Sequence, residues 1–327
     1  MNSLARIAMP LVLALAAGAG WTVNSAGAEE WPARPIRLVI PYAAGGAGDA
    51  TFRQVAPMVE KRLGQPFVIE NKPGAGGNIG AADVSRADPD DYTLLLGATN
   101  NFVTNQFLYK SSIDPLKAFT PITVMSNAPT VVTVHPSVPV KTLKELADYA
   151  TANPGKLNYS SPGIGTPAHL AAEYFSSLAG VEMVHVPFRG GGPAAMALAS
   201  NEVQVFFTPF TLIAGLVQKD AVRMLAVAAP QRMPFIPEIP TTAEAGFPQL
   251  LTGNWWGFVA PAGTDPKILE RLNREFQTAL NDPSVRQRYG QLGMVAVGNS
   301  REQFAEMIKT EAERWKKVID AAGLTPQ

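Results

Sequence analysis

The sequence predicts an α/β protein of two domains, each a sheet covered by helices, with a cleft between them. Three observations carry that prediction. Short runs rich in Val, Ile and Leu recur along the chain and alternate with stretches of helical periodicity, the pattern of strands joined through helices. Several of these runs end in glycine-rich turns that open onto a helix. Beyond an N-terminal leader about 300 residues remain, enough for two cores of ordinary size, yet no repeat, charge run or low-complexity linker marks a head-to-tail boundary. A chain that crosses from one domain to the other and returns accounts for that absence. The crossings are placed at 130–134 and 257–261, which assigns 29–130 and 257–327 to the first domain and 131–256 to the second.

Taken in order, residues 1–28 read as an export signal: Arg6, an apolar core from Ile7 to about Ala19, then Ala26-Gly27-Ala28, with cleavage expected near Ala28. The core falls short of the roughly 20 apolar residues of a membrane span. Strands follow at 36–40, 67–69, 92–96, 131–134, 183–186, 203–207 and 222–227. The run at 36–40 leads through Pro41-Tyr-Ala-Ala-Gly-Gly-Ala-Gly-Asp49 into a helix expected over 49–63, which Pro57 should kink by removing a hydrogen bond. Thr142 with Glu145, and Ser300 with Gln303, make capping boxes. Thr166-Pro167 and Asp265-Pro266 place a cap ahead of a first-turn proline. Parallel pairing is the expectation for strands linked this way.

Composition removes several function classes. Basic and acidic residues balance at 27 each; loss of Arg6 leaves about −1, which favours neither nucleic acid nor an anionic membrane as partner. There is no cysteine, so thiol catalysis, zinc thiolates and disulfides are excluded together. No later segment is long and apolar enough to span a bilayer. A transport role therefore needs membrane partners.

Four strand-to-helix turns face the expected cleft, at 41–49, 73–78, 160–166 and 188–192, each combining glycines with hydroxyl, amide or guanidinium donors. Backbone amides at such helix starts suit an anion. Gly74-Ala-Gly76 lacks the third small residue of a dinucleotide fingerprint because Ile79 stands there, and no Gly-Lys-Ser/Thr follows any turn. In the turn before Thr166, the hydroxyl caps the helix while neighbouring amides stay free for a carboxylate. Arg189 is either a bidentate carboxylate partner or a surface ion pair. His135, His169 and His185 have no metal-ligand spacing and read as structural, with His169 the exception to watch. A serine hydrolase built from Ser161, Asp49 and His169 is disfavoured, since Gly-x-Ser-x-Gly is absent and Pro162 stands where an oxyanion donor is needed. Trp255 and Trp256 are core or cleft wall.

The segments Trp31-Pro-Ala-Arg-Pro-Ile-Arg37, Pro41 to Asp49, Asn71-Lys-Pro-Gly-Ala-Gly-Gly-Asn78, Asn158-Tyr-Ser-Ser-Pro-Gly-Ile-Gly-Thr-Pro-Ala-His-Leu170, Val186-Pro-Phe-Arg-Gly190, Pro240-Thr-Thr-Ala-Glu-Ala-Gly-Phe247 and Trp256-Gly-Phe-Val-Ala-Pro-Ala-Gly263 closely resemble the tripartite tricarboxylate transporter substrate-binding proteins, the Bug or TctC family. The resemblance implies a two-lobed periplasmic binding protein of type II-like architecture. It also implies a small organic carboxylate bound between the lobes and delivered to a separate membrane permease, with no catalytic residue, cofactor or metal, in a monomer. The ligand-binding set it implies is Tyr42, Gly45, Gly46, Asn78, Asn100, Ser161, Gly165, Thr166, His169, Phe188, Arg189, Thr208 and Trp256, with ordered water taking part. Where family members often carry an aspartate this chain has Gln204, and Phe206, Phe207 and Phe210 stand close by, which favours an apolar or aromatic acid over an amino acid or citrate. Two other readings are a sensor that presents the same acid to a receptor protein and an enzyme on the same scaffold.

Overall fold

The computed structural model describes residues 31–110, 113–188 and 190–326; the leader and Arg189 lie outside the described residues. The first lobe opens with β1 (Ile36–Ile40), α1 (Ala47–Leu63), β2 (Phe67–Asn71), α2 (Asn78–Ser85) and β3 (Thr93–Ala98). Three short turns of helix follow, α3 (Thr99–Phe102), α4 (Asn105–Leu108) and α5 (Pro115–Ala118). β4 (Phe119–Val134) leads into the second lobe, made of α6 (Leu143–Ala152), β5 (Asn158–Ser161), α7 (Pro167–Ala179), β6 (Val184–Pro187), α8 (Gly191–Ala199), β7 (Val205–Pro209), α9 (Ala214–Val217) and β8 (Arg223–Val227). β9 (Gly253–Pro261), α10 (Pro266–Leu280), α11 (Pro283–Gln291), β10 (Val295–Ala296) and α12 (Arg301–Ala321) complete the first lobe.

The strands run β2-β1-β3-β9-β4-β7-β5-β6, with β8 and β10 also on β4. β4 is the shared element. Its first part pairs with β9 from Phe119 to Pro129, and its last five residues, Thr130 to Val134, pair with β7. Pairing is parallel where helices connect neighbours, β1 with β2 and β3, and β5 with β6 and β7. It is antiparallel wherever β4 or β9 takes part, so the all-parallel expectation gives way to mixed sheets. β9 runs against β1, β2, β3 and β4 in the first sheet, and β4 runs against β5, β6 and β7 in the second. Residues 257–261, expected as the return crossing, lie inside β9, and the chain is back in the first sheet by Gly253.

Period-two alternation sorts β1 between cores: Leu38 and Ile40 face a cluster with Phe52, Phe258 and Phe276, while Val39 faces one with Phe102, Trp255 and Phe304. Phe258 and Phe276 stack at 4.0 Å. In the second lobe Phe206 and Phe207 point to opposite cores and both are 0% exposed. They wall no cleft, so of the three phenylalanines behind the aromatic-acid expectation only the half-buried Phe210, packed on Phe235, lies outside the cores. α1 continues as one helix through Pro57, which lies on its exposed face. Thr142, Thr166, Asp265 and Ser300 each accept a first-turn amide; the reciprocal capping box closes at Ser300 with Gln303 but not at Thr142, because Glu145 accepts from the Lys141 amide instead.

Candidate functional site

The carboxyl ends of the parallel strands of both lobes turn toward one another, the usual place for a ligand in α/β proteins. A cavity of about 270 Å³ lies there, walled by Gly76, Asn100, Asn105, Leu108 and Tyr109 of the first lobe, Ile164 to Pro167 of the second, and Leu324 and Thr325. A larger groove, about 530 Å³, runs on the outer flank among the ends of α6, α7 and α12 and has none of the glycine turns in its walls.

The first-lobe wall is an asparagine platform. The Gly76 carbonyl accepts from Asn100 Nδ2 at 2.7 Å, Asn101 Nδ2 at 3.1 Å and Asn105 Nδ2 at 3.1 Å. Gly76 has φ +63, and a Cβ there would stand 2.8 Å from the Tyr109 hydroxyl, so both backbone angle and space require glycine. The Tyr42 hydroxyl lies 2.8 Å from Asn100 Oδ1 and 3.0 Å from Asn101 Oδ1. Burial pushes its pKa far above the ordinary value, which keeps it a donor. Asn105 also donates to Asn78 Oδ1 at 2.7 Å, while the buried Asn78 Nδ2 has no partner among the described residues. Such a group is costly unless something polar completes it.

The turn from β1 into α1 is closed on itself. Gly46 N–H donates to the Ala43 carbonyl at 3.1 Å, and Gly45 N–H donates to Asp49 Oδ2 at 2.9 Å. Asp49 is 3% exposed. Burial raises its pKa, but hydrogen bonds from Arg53 and the Gly45 amide outweigh that and hold it lowered. Gly48 rests on the Trp256 ring, where a Cβ would meet ring carbons at 2.3 Å. Trp256 also takes the Tyr42 ring edge-on at 5.0 Å. It is core more than wall, and its buried indole N–H has no partner among the described residues.

The second-lobe turn is also internally bonded. Gly163 N–H donates to Ser161 Oγ at 3.1 Å, Thr166 N–H and Oγ1 both donate to the Gly163 carbonyl, and Gly165 N–H donates to His169 Nδ1 at 3.1 Å. The amides expected to be free at Gly163, Gly165 and Thr166 are therefore occupied; the Ile164 amide has no partner among the described residues. Ser161 Oγ lies 2.6 Å from His185 Nε2, so its histidine partner is His185 and not the His169 of the hydrolase reading, and Ser161 is fully buried. Burial lowers His169 and His185 to about 4, with their mutual repulsion adding at His185.

Of the sequence-expected residues, Asn100, Gly165 and Thr166 line the cavity together, and Tyr42 and Asn78 adjoin it through Asn100 and Asn105. Trp256 packs on Tyr42, and neither it nor Gly45 and Gly46 of the turn before α1 line the cavity. Phe188 is half-buried against the second-lobe core and its amide donates to the Ser161 carbonyl at 2.8 Å. Thr208 is fully buried on β7 with Oγ1 unpartnered among the described residues. Asn101, Asn105, Leu108, Tyr109, Leu324 and Thr325 were missed by sequence reasoning; the run Asn100-Asn101 with Asn105 just after β3 was the available signal. Among the described residues no cluster of three or more His, Asp or Glu is placed to hold a metal ion, and no helix is long and apolar enough to cross a membrane.

Residues 51–324 match the family described as tripartite tricarboxylate transporter family receptor. A Pseudomonas sp. (strain P51) protein, encoded in the tcbD-tcbE intergenic region, is 36% identical over 292 residues, covering 89% of this chain and 87% of its own length. Rpa4515 of R. palustris, solved with adipate, is 33% identical with a TM-score of 0.74 over 91% of this chain and 100% of its own. MatC of Rhodopseudomonas palustris, solved with bound malate, is 32% identical with a TM-score of 0.70 over 88% and 99%.

Proposed function

The chain belongs to the tripartite tricarboxylate transporter receptor family, a family of periplasmic solute-binding proteins, and from that premise we propose that it captures a short dicarboxylate between its lobes and hands it to a tripartite permease. The observation that carries this reading is the cavity between the asparagine platform and the glycine turn at the N-terminus of α7. None of its lining residues is charged. The donors left for a carboxylate there are the Ile164 amide and the unpartnered Asn78 Nδ2 beside the wall, together with the positive end of α7, which supports an acid of modest size held by directional hydrogen bonds. Adipate in Rpa4515 and malate in MatC are both dicarboxylates, and Phe206 and Phe207 lie in the cores and not in this cavity. Arg189, outside the described residues, is assigned by its sequence position to pair with a second carboxylate. Removal of residues 1–28 belongs to the same proposal.

Thermal unfolding with adipate, malate, benzoate and the neutral adipamide tests it. A ligand at 100 times its Kd adds about 2.7 kcal/mol to stability. Stabilisation by adipate or malate and not by adipamide is expected. Equal shifts with adipamide, or none with any acid, refute carboxylate capture. Turnover of a bound acid would instead favour an enzyme.

A further inference from the structure

His169 and His185 bracket the second-lobe turn from beneath. The His169 ring is 5% exposed and its Nδ1 receives the Gly165 N–H at 3.1 Å. Nδ1 must therefore be unprotonated, and in the neutral ring the proton sits on Nε2, which faces Glu173 Oε1 at 3.9 Å. The same Glu173 oxygen accepts the Tyr159 hydroxyl. His185 stacks on His169 at 4.1 Å and is itself backed by Tyr159 at 4.9 Å, while its Nε2 reaches Ser161 at the other end of the turn. The turn between these anchors contains Gly163 at φ +141 and Gly165 at φ +75, positions with little conformational preference of their own.

We propose that His169 is a positioning residue of the binding cleft: its Nδ1 lone pair, held in place by the stack with His185, fixes the Gly163–Gly165 turn in the shape that receives a carboxylate. It does not touch the ligand. This rests on the carboxylate reading above for its binding consequence, and on geometry alone for its effect on the turn. Glu173, His185 and Tyr159 are the titratable groups found against the ring, and protonation of Nδ1 would turn the acceptor into a donor aimed at the Gly165 amide.

The test compares the mature protein with His169→Leu, which removes the acceptor, and His169→Asn, which keeps one at the δ position. Amide exchange at Gly165, followed by NMR, should accelerate at least tenfold in His169→Leu and much less in His169→Asn. Kd for adipate or malate, by calorimetry, should weaken at least tenfold in His169→Leu and recover in part in His169→Asn. In the parent, Gly165 protection should be lost as pH falls through about 4, which reads the same bond without a substitution. Unchanged Gly165 exchange in folded His169→Leu, or protection in the folded parent that persists far below pH 4, overturns the proposal. Faster exchange with unchanged Kd overturns the positioning role and leaves carboxylate capture standing. If the parent binds neither acid, the carboxylate reading fails and the exchange comparison decides whether His169 holds the turn.

Discussion

Gly165→Ala separates strain from crowding at the cavity wall. Gly165 has φ +75, and an added Cβ would stand 3.0 Å from Cδ1 of Leu108, which faces it from the other lobe. An L-residue in the left-handed region costs about 1–2 kcal/mol. The second effect is different in kind: the Leu108 methyl can shift, but only by moving into the cavity or holding the lobes apart. Gly180 is the control, since it ends the same helix at φ +65 with nothing within 4 Å of its Cβ. Both alanine variants should lose about 1–2 kcal/mol of stability, or roughly 2–4 °C in Tm for each kcal/mol in a protein of this size. Only Gly165→Ala should lose affinity for adipate or malate, by about tenfold or 1.4 kcal/mol, and Leu108→Ala in the same chain should restore part of it. Calorimetry on the three variants decides. Parent affinity in a folded Gly165→Ala protein places the ligand elsewhere and refutes the assignment of this wall.

Thr166→Val removes the hydroxyl that accepts from His169 N–H and donates to the Gly163 carbonyl at 2.7 Å; it should cost about 1 kcal/mol, and an unaltered melting curve would show that the cap contributes nothing. Because burial lowers both stacked histidines to about 4 from an ordinary 6.5, the unfolded chain binds protons that the folded one does not between those values. Stability should therefore fall as pH drops from about 6.5 toward 4, with a shallower fall in His169→Asn; a flat curve in the parent counts against neutral buried imidazoles. Intact mass of protein from a periplasmic fraction should begin at or near Glu29, and a species retaining Met1 contradicts export with cleavage.

What could be read in the sequence follows from what each residue does locally. The strand at 36–40, the glycine turns and the caps at Thr142, Thr166, Asp265 and Ser300 depend on near neighbours, so their signals survive without the rest of the chain. β4 was legible only in its last four residues, because Pro121 and Pro129 argue against a strand. They are tolerated where the register with β9 shifts and where pairing passes from β9 to β7. Glycine turns were legible as places with available amides, but which amides remain available was not. That depends on Asp49, Ser161 and His169, whose side chains fold back onto the turns. Tyr42 meets Asn100 and Asn101 across 58 and 59 positions, a separation that no local pattern encodes.

The two turns prove to share one construction. In each, a glycine amide donates to the side chain four residues on, at the third position of the following helix: Gly45 to Asp49 in α1, and Gly165 to His169 in α7. Both are thereby ordered before any ligand arrives, which lowers the entropy lost on binding. They differ in charge. Asp49 already places a carboxylate at the start of α1, where the helix dipole favours an anion, whereas neutral His169 leaves the start of α7 without one. The second-lobe turn is on this ground the better seat for a carboxylate, and the first acts chiefly as a rigid wall behind Tyr42. Asp49→Asn keeps an acceptor for the Gly45 amide and removes the negative charge, leaving Arg53 with a largely solvent-exposed guanidinium. Affinity for malate should rise by about twofold to fivefold, the equivalent of roughly 0.3–1 kcal/mol for one charge at a helix terminus, and the gain should shrink in 1 M salt. A folded Asp49→Asn protein that binds malate tenfold more weakly would mean that the Asp49 charge itself shapes the site, and the division of labour between the two turns would be wrong.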